Sequence, residues 1–143
     1  MNKTTLYPEI EHDCQWYIID ADSKTLGRLA TEAAKILVGK NLPSYNPSRN
    51  IKNALIIINA DKIVITGKKR FDKFYRNHSG QVGGMNIETF DELQQRRPGR
   101  VIERAIKGML PKGPLGRELF TKLKVYKTSQ HPHNAQKPEI VNI

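Results

Sequence analysis

The chain has 143 residues, 38% hydrophobic and 27% charged, with 24 Lys and Arg against 14 Asp and Glu. That length suits one domain with its own core, and a formal charge of +10 with a pI near 9.8 points to a polyanionic partner. No apolar run approaches the ~20 residues of a membrane span, no basic helix carries the aromatic anchors of a membrane-surface binder, and a single Cys14 excludes an internal disulfide.

Residues 1–14 read as an irregular arm, broken at Tyr7-Pro8. They lack the basic start and apolar middle of a signal peptide and the Arg-rich, acid-poor character of a transit peptide. The chain is therefore expected to act where it is made, or to be a mature form. Trp16 to Asp20 is a short aromatic and β-branched run, a buried strand. Asp20, Asp22 and Ser23 turn the chain into a helix over Thr25 to Val38. There Leu26, Leu29, Ala30, Ala33, Ile36 and Leu37 recur at helical spacing, and Gly39 is a natural stop. Asn41 to Lys52 is a loop. Ala54 to Asn59 is continuously apolar and β-branched, as in a strand buried on both faces. Lys62 to Thr66 reads as a shorter second strand. Strand, helix and apolar strand form a βαβ pattern, so a small, mostly parallel sheet flanked by helices is expected.

Gly67 to Gly84 is the least regular region. Lys68, Lys69, Arg70, Lys73 and Arg76 are interleaved with Phe71, Phe74 and Tyr75, and His78, Gly80, Gly83 and Gly84 follow. Cations for phosphates, planar rings for bases and glycines for close approach suit an RNA-binding loop. Equally, the rings would cover a sheet edge while the charges solvate the loop. Thr89-x-x-Glu92 is a capping box that starts a helix at Phe90. Pro98 takes the first position of the next helix. That helix turns Val101, Ile102, Ala105, Ile106 and Met109 inward and leaves Arg100, Arg104 and Lys107 as a stripe on the other side. After the rigid turn MLPKGPLG, Pro114 starts a short helix anchored by Leu115, Leu119 and Phe120, and Leu123 to Tyr126 is a short strand. The polar tail from Thr128 is expected to lie on a surface or a partner. The layout is one domain: arm 1–14, α/β core 15–127, tail 128–143.

Charge concentrates between Arg96 and Lys127, where ten residues are Lys or Arg and two are acidic, a net +8. A solvated basic face would share this composition. Catalytic readings fail on the residues. GxGxxG is absent after the first strand, where Asp20-Ala21-Asp22-Ser23 stands. Neither Gly39-Lys40 nor Gly67-Lys68 completes a phosphate-binding P-loop, since Ala34 and Lys62 occupy the required glycine positions. His131-Pro132-His133 lacks nearby Cys or carboxylate ligands for a metal. Cys14 near His12 has no orienting third group. No enzyme activity and no cofactor are expected.

Four stretches together resemble one family. They are WYIIDADSKTLGRLAT (16–31), NADKIVITGKK (59–69), RRPGRVIERAIKGMLPKGPLGR (96–117) and LKVYK (123–127), of which KGMLPKGPLGR is the most specific. The chain is similar to the bacterial and organellar L-thirteen family of large-subunit ribosomal proteins over nearly its whole length. The resemblance implies a compact α/β domain, three layers deep, with a four-stranded, mainly parallel sheet. It also implies binding to large-subunit ribosomal RNA, early entry into assembly, neighbouring large-subunit proteins, and neither a membrane nor a small-molecule substrate. The ribosome would be in a plastid stroma or a bacterial cytoplasm. The abundance of Ile, Asn and Lys fits an AT-rich genome of that kind. The loop NPSRNIKNA departs from the family's more acidic version, and Arg76 and Asn77 stand where aromatic or histidine residues are frequent. The candidate RNA contacts are Lys68, Lys69, Arg70, Lys73, Tyr75, Arg76, His78, Arg96, Arg97, Arg100, Arg104, Lys107, Lys112, Gly113, Arg117, Lys122 and Lys124. Phe74 and Tyr45 are further stacking candidates that could equally belong to the core. A free regulatory RNA-binding protein, repressing a messenger off the ribosome, needs the same surface.

Overall fold

The elements run β1 (Trp16–Asp20), α1 (Leu26–Val38), β2 (Ala54–Ile58), α2 (Lys69–Asp72), β3 (Phe74–His78), β4 (Met85–Thr89), α3 (Phe90–Arg96), α4 (Pro98–Met109), α5 (Pro114–Thr121), β5 (Leu123–Val125) and β6 (Glu139–Ile140). This is a computed structural model, and it describes residues 14–47 and 51–143. β1 and β2 pair in parallel, from Trp16 opposite Ala54 to Asp20 opposite Ile58. Parallel neighbours need a crossover, and α1 supplies it. β5 and β6 add in parallel on the two sides, giving the order β5-β2-β1-β6. The fold is α/β, with a four-stranded parallel sheet and flanking helices.

Side chains alternate along the strands. Tyr17, Ile19, Leu55, Ile57 and Leu123 join the main core with Leu29 and Leu37 of α1, Val101, Ile102 and Ile106 of α4, and Leu119 of α5. Ile18 and Ile56 point the other way and are buried as well. This explains the unbroken apolar run in β2, because a strand covered on both faces has no polar side. Trp16 shares the face of Ile18. The His133 ring lies 5.0 Å from it, and the Tyr126 hydroxyl meets His133 Nε2 at 2.8 Å. His131 and His133 therefore help pack the second face.

Local chemistry sets the ends of the helices. α1 stops at Gly39, whose φ of 77° is the left-handed conformation that glycine adopts without strain. The Gly39 N–H donates to Ile36 O at 3.1 Å and the Lys40 N–H to Lys35 O at 2.9 Å, the paired bonds of a Schellman stop. A Cβ at Gly39 would also sit 2.1 Å from Ile51 Cδ1. α3 opens with the expected capping box: the Glu92 N–H donates to Thr89 Oγ1 at 3.4 Å, and the Thr89 N–H to Glu92 Oε2 at 2.8 Å. Pro98 occupies the start of α4 and Pro114 that of α5, as expected.

Four expectations are corrected. Lys62 to Thr66 is not a strand. Ala60–Lys62 is one 3-10 turn, and Val64 makes a single bridge with Thr25. Its backbone bonds go to Lys24 and Leu26 at the start of α1, so no ladder extends from it. Residues 74–89 are not irregular but form an antiparallel ribbon, β3–β4, outside the main sheet. Gly80 and Gly83, at φ of 93° and 74°, supply the positive-φ positions of its turn. The tail is not merely superficial, because β6 supplies the fourth strand: Glu139 pairs with Tyr17, Ile140 with Ile18, and the Val141 N–H donates to Ile18 O at 2.9 Å. Lys24 Nζ holds the Ile143 carbonyl. Met109, expected inside, is 46% exposed because it lies at the end of α4 beyond the core edge. The arm reading of residues 1–13 lies outside the described residues.

Deleting residues 138–143 should therefore destabilise the domain. Losing the β6 ladder and the packing of Val141 and Ile143 should cost roughly 2–4 kcal/mol in chemical denaturation. An unchanged midpoint would show that the tail only rests on the surface.

Candidate nucleic-acid interface

α4 carries the site because its two sides differ. Val101, Ile102 and Ile106 are buried against α1 and the sheet, which turns Arg100, Arg104 and Lys107 outward. At 1.5 Å rise per residue, the three span about 10 Å of helix. α3 meets α4 at Arg97, which adds Arg96 and Arg97 to the same end.

The β3–β4 ribbon completes a recess there. Its register places Tyr75, Asn77, Asn86 and Glu88 on one face. Tyr75 belongs to the core, so this face looks toward the helices. Asn77, Asn86 and Glu88 line a recess of about 410 Å³ with Leu93, Arg96, Arg97, Arg100 and Arg104. Four guanidiniums thus face one carboxylate. Arg96 Nη2 donates to both Glu88 oxygens, at 2.6 and 2.7 Å. Arg100 approaches Glu103 at 3.7 Å, and the Arg104 guanidinium lies 5.5 Å from the Tyr75 ring centroid. Arg97 forms no ion pair with a described residue. A guanidinium presents several donors in a plane and suits bidentate phosphate contact.

A second opening lies at the other end of α4. Lys107, Pro111, Lys112, Gly116, Arg117 and Phe120 line a groove of about 360 Å³. The chain folds back tightly here, since a Cβ on Gly116 would sit 1.7 Å from the Pro111 carbonyl oxygen. Glycine at 116 therefore lets Lys112 and Arg117 flank one turn. Lys107 Nζ rests 5.6 Å from the Phe120 ring centroid. On another side of α4, Lys69 and Lys73 edge a cleft of about 410 Å³, formed by Thr25 to Gly27, Val64 to Thr66, and Ala105, Gly108 and Met109.

The remaining candidates are dispersed. Lys68 and Gly113 are exposed near these openings in sequence. Arg70 Nε donates to Asp91 at 2.7 Å. Arg76 and His78 lie on the opposite face of the ribbon, away from the recess. His78 Nδ1 accepts the Gly80 N–H at 2.9 Å, a turn contact. Lys122 Nζ donates to the Ile51 carbonyl at 3.0 Å and its side chain is only 20% exposed, so it serves the framework. Lys124 sits opposite Ile56 and thus on the second face of the sheet, apart from α4.

Tyr75 is the clearest displacement among the candidates. It is 9% exposed, with Lys73 and Arg104 against its ring, so the ring is a core residue and not a free stacking platform. Burial pushes its phenol above the ordinary range, and the nearby Arg104 opposes that shift. The hydroxyl finds no hydrogen-bond partner among the described residues. Phe74, in contrast, is 56% exposed, while Tyr45 is half-buried. Asn77 and Asn86 were not among the contacts expected from the sequence. Strand alternation from the buried Tyr75 would have found Asn77.

Among the described residues no three His, Cys, Asp or Glu gather as a metal site, and no helix is long and apolar enough to cross a membrane. Fold and site define a class: a basic α/β domain with arginine- and lysine-lined openings on its surface. Comparison with known proteins makes this specific. The family described as Ribosomal protein L13 matches residues 14–132. The chain is 63% identical over 138 residues to the large ribosomal subunit protein uL13c of Guillardia theta, with 96% of each chain covered. It is 56% identical over 144 residues to the large ribosomal subunit protein uL13 of Prochlorococcus marinus, covering 100% of this chain and 95% of that one. Against uL13 of Crocosphaera subtropica the identity is 59% over 139 residues, covering 97% and 92%. The chain belongs to the ribosomal protein L13 family.

Two substitutions check this geometry. Gly116→Ala should cost about 1–3 kcal/mol, because the clash is with backbone and the turn must shift. Tyr75→Phe should leave stability unchanged or raise it by up to ~1 kcal/mol, since it removes a buried hydroxyl without a protein partner. A loss above ~1 kcal/mol on thermal melting would mean that the hydroxyl is satisfied.

Proposed function

We propose that this protein is a structural constituent of the large ribosomal subunit, binding large-subunit ribosomal RNA early in assembly. The single observation that carries the reading is the row of openings along α4 and α5 in a member of this family. Arg97, Arg100, Arg104, Lys107, Lys112 and Arg117 neutralise phosphates there, joined by Lys69 and Lys73 at the third cleft and by Lys68 beside them in sequence. Arg96 and Arg70 exchange their carboxylate partners for phosphate or keep them as local anchors. Gly113 lets the backbone lie close to RNA beside Lys112. Lys124 meets RNA from the other face of the sheet.

The mechanism is positional. Each cation that engages a phosphate releases condensed counterions, and the favourable entropy drives binding. The packed sheet and helices keep the cations at fixed spacing, so less freedom is lost on docking. The protein serves as a rigid, basic spacer where RNA segments converge. Its role is structural, in the ribosome of a plastid stroma or a bacterial cytoplasm, beside other large-subunit proteins.

Lysate fractionation on a sucrose gradient tests the reading. Stoichiometric presence in the large-subunit peak after a moderate salt wash is the expected result. Presence only at the top of the gradient would overturn it in favour of a free regulatory RNA-binding protein. A second test isolates the site. Replacing Lys112 and Arg117 together by Ala should weaken ribosomal RNA binding about tenfold or more and lower the slope of log K against log salt by about 1.5. Melting of the free protein should not change. Unaltered RNA affinity would remove the α5 groove from the interface.

A further inference from the structure

The arginine recess holds groups that phosphate recognition does not call for. A phosphate only accepts hydrogen bonds, so a site built for it alone presents donors and positive charge. Glu88 stands instead in the wall of the recess, its carboxylate fixed by Arg96 Nη2 at 2.6 and 2.7 Å. A carboxylate has about four acceptor sites, so Glu88 keeps capacity for two more donors. Further along the same face, Asn77 and Asn86 form a cross-strand pair whose carboxamides have no hydrogen-bond partner among the described residues. On the helix side, the Arg104 guanidinium lies over the Tyr75 ring and lines the recess. Acceptors, carboxamides and a planar cation thus share about 410 Å³, a volume usual for a small-ligand pocket.

We propose that this recess receives an unpaired guanosine of the ribosomal RNA, read by Glu88. The inference rests on the RNA-binding reading above and gives the same site a base to recognise. Guanine alone among the four bases carries two neighbouring N–H donors on its Watson–Crick edge, at N1 and N2, and these match the two oxygens of one carboxylate. Its O6 and N7 form an acceptor pair that a guanidinium meets with two bonds. Adenine, cytosine and uracil each set an acceptor beside their single donor, which leaves Glu88 facing a lone pair. The base must be unpaired, because pairing would occupy the edge that Glu88 reads. RNA sequence is commonly read on such splayed bases, stacked on rings or guanidinium planes. Arg104 offers that plane, with Tyr75 behind it. Asn86 lies two residues from Glu88, about 7 Å along the ribbon. There the two carboxamides meet the ribose, whose 2′-hydroxyl donates and accepts as they do. The phosphates on either side of the nucleoside go to the exposed Arg97 and Arg100. Two phosphate partners fit a nucleoside within a strand better than a free nucleotide.

The test titrates the isotopically labelled full chain with the RNA trinucleotides UGU, UAU, UCU and UUU. Affinity is read by NMR from the side-chain signals of Asn77, Asn86 and Arg104, so binding elsewhere on the basic surface does not enter. UGU should bind the recess at least fivefold more tightly than the other three. Inosine in place of guanosine, which lacks the N2 amine, should weaken binding at least threefold, and so should 2′-deoxyguanosine. Glu88→Gln should abolish the preference for UGU while the protein keeps its dispersed folded spectrum. A recess made for phosphate alone behaves oppositely: the four trinucleotides bind alike, and Glu88→Gln tightens all of them by removing a negative charge. That result would overturn the inference and leave the RNA reading standing, as would recess signals that respond to no trinucleotide. Guanosine monophosphate that binds as tightly as UGU would also overturn it, in favour of a free nucleotide. Absence of the protein from large-subunit gradient fractions would overturn the ribosomal reading on which the inference rests.

Discussion

The parallel pairing of β1 with β2 is the constraint on which the rest of the structure depends. Parallel neighbours cannot be joined by a tight turn, so α1 must cross over the sheet and bury its apolar stripe there. Leu29, Ala33 and Leu37 then form a floor on which α4 packs through Val101, Ile102 and Ile106. Once α4 is seated that way, Arg100, Arg104 and Lys107 have only the outside to occupy. The orientation of the basic surface is thus a consequence of core burial.

So much charge of one sign works against a compact state. The structure relieves part of it locally. Glu88 takes Arg96, Asp91 takes Arg70, and Glu32 takes Lys35. The Tyr75 and Phe120 rings accept Arg104 and Lys107 on their faces. Such exposed contacts contribute little to stability individually. Their effect is to hold long side chains near one geometry, so less freedom remains to be lost in any further contact. The residues without ion pairs among the described ones, Arg97, Lys112 and Arg117, border the openings and remain available.

The membership of this chain in the ribosomal protein L13 family gives these features a common purpose. A structural constituent of the large ribosomal subunit needs a stiff interior and a surface that carries its basic side chains outward. Both follow from one arrangement of α1, α4 and the sheet. The β3–β4 ribbon stands outside the main sheet and is anchored chiefly by Tyr75.

The sequence by itself determined those features that depend on near neighbours. The β1–α1–β2 unit, the stop at Gly39, the capping box at Thr89, the starts at Pro98 and Pro114 and the basic stripe of α4 were all legible. Each rests on periodicity or on a cap within a few residues. What depends on distant partners was not legible. Glu139 and Ile140 form a strand only because the edge of β1 leaves backbone groups to be paired some 120 residues earlier. Lys62 to Thr66 looked more like a strand, yet its one bridging residue is claimed by Thr25 at the start of α1. The ribbon was hidden because the adjacent rings Phe74 and Tyr75 break the alternation of β3, and Tyr75 turned inward only where a core was present to receive it. Which cations share an opening was likewise decided by tertiary structure. Lys124 and Lys112 are close in sequence, but the sheet register places Lys124 on the far face, and local composition carries no information about that separation.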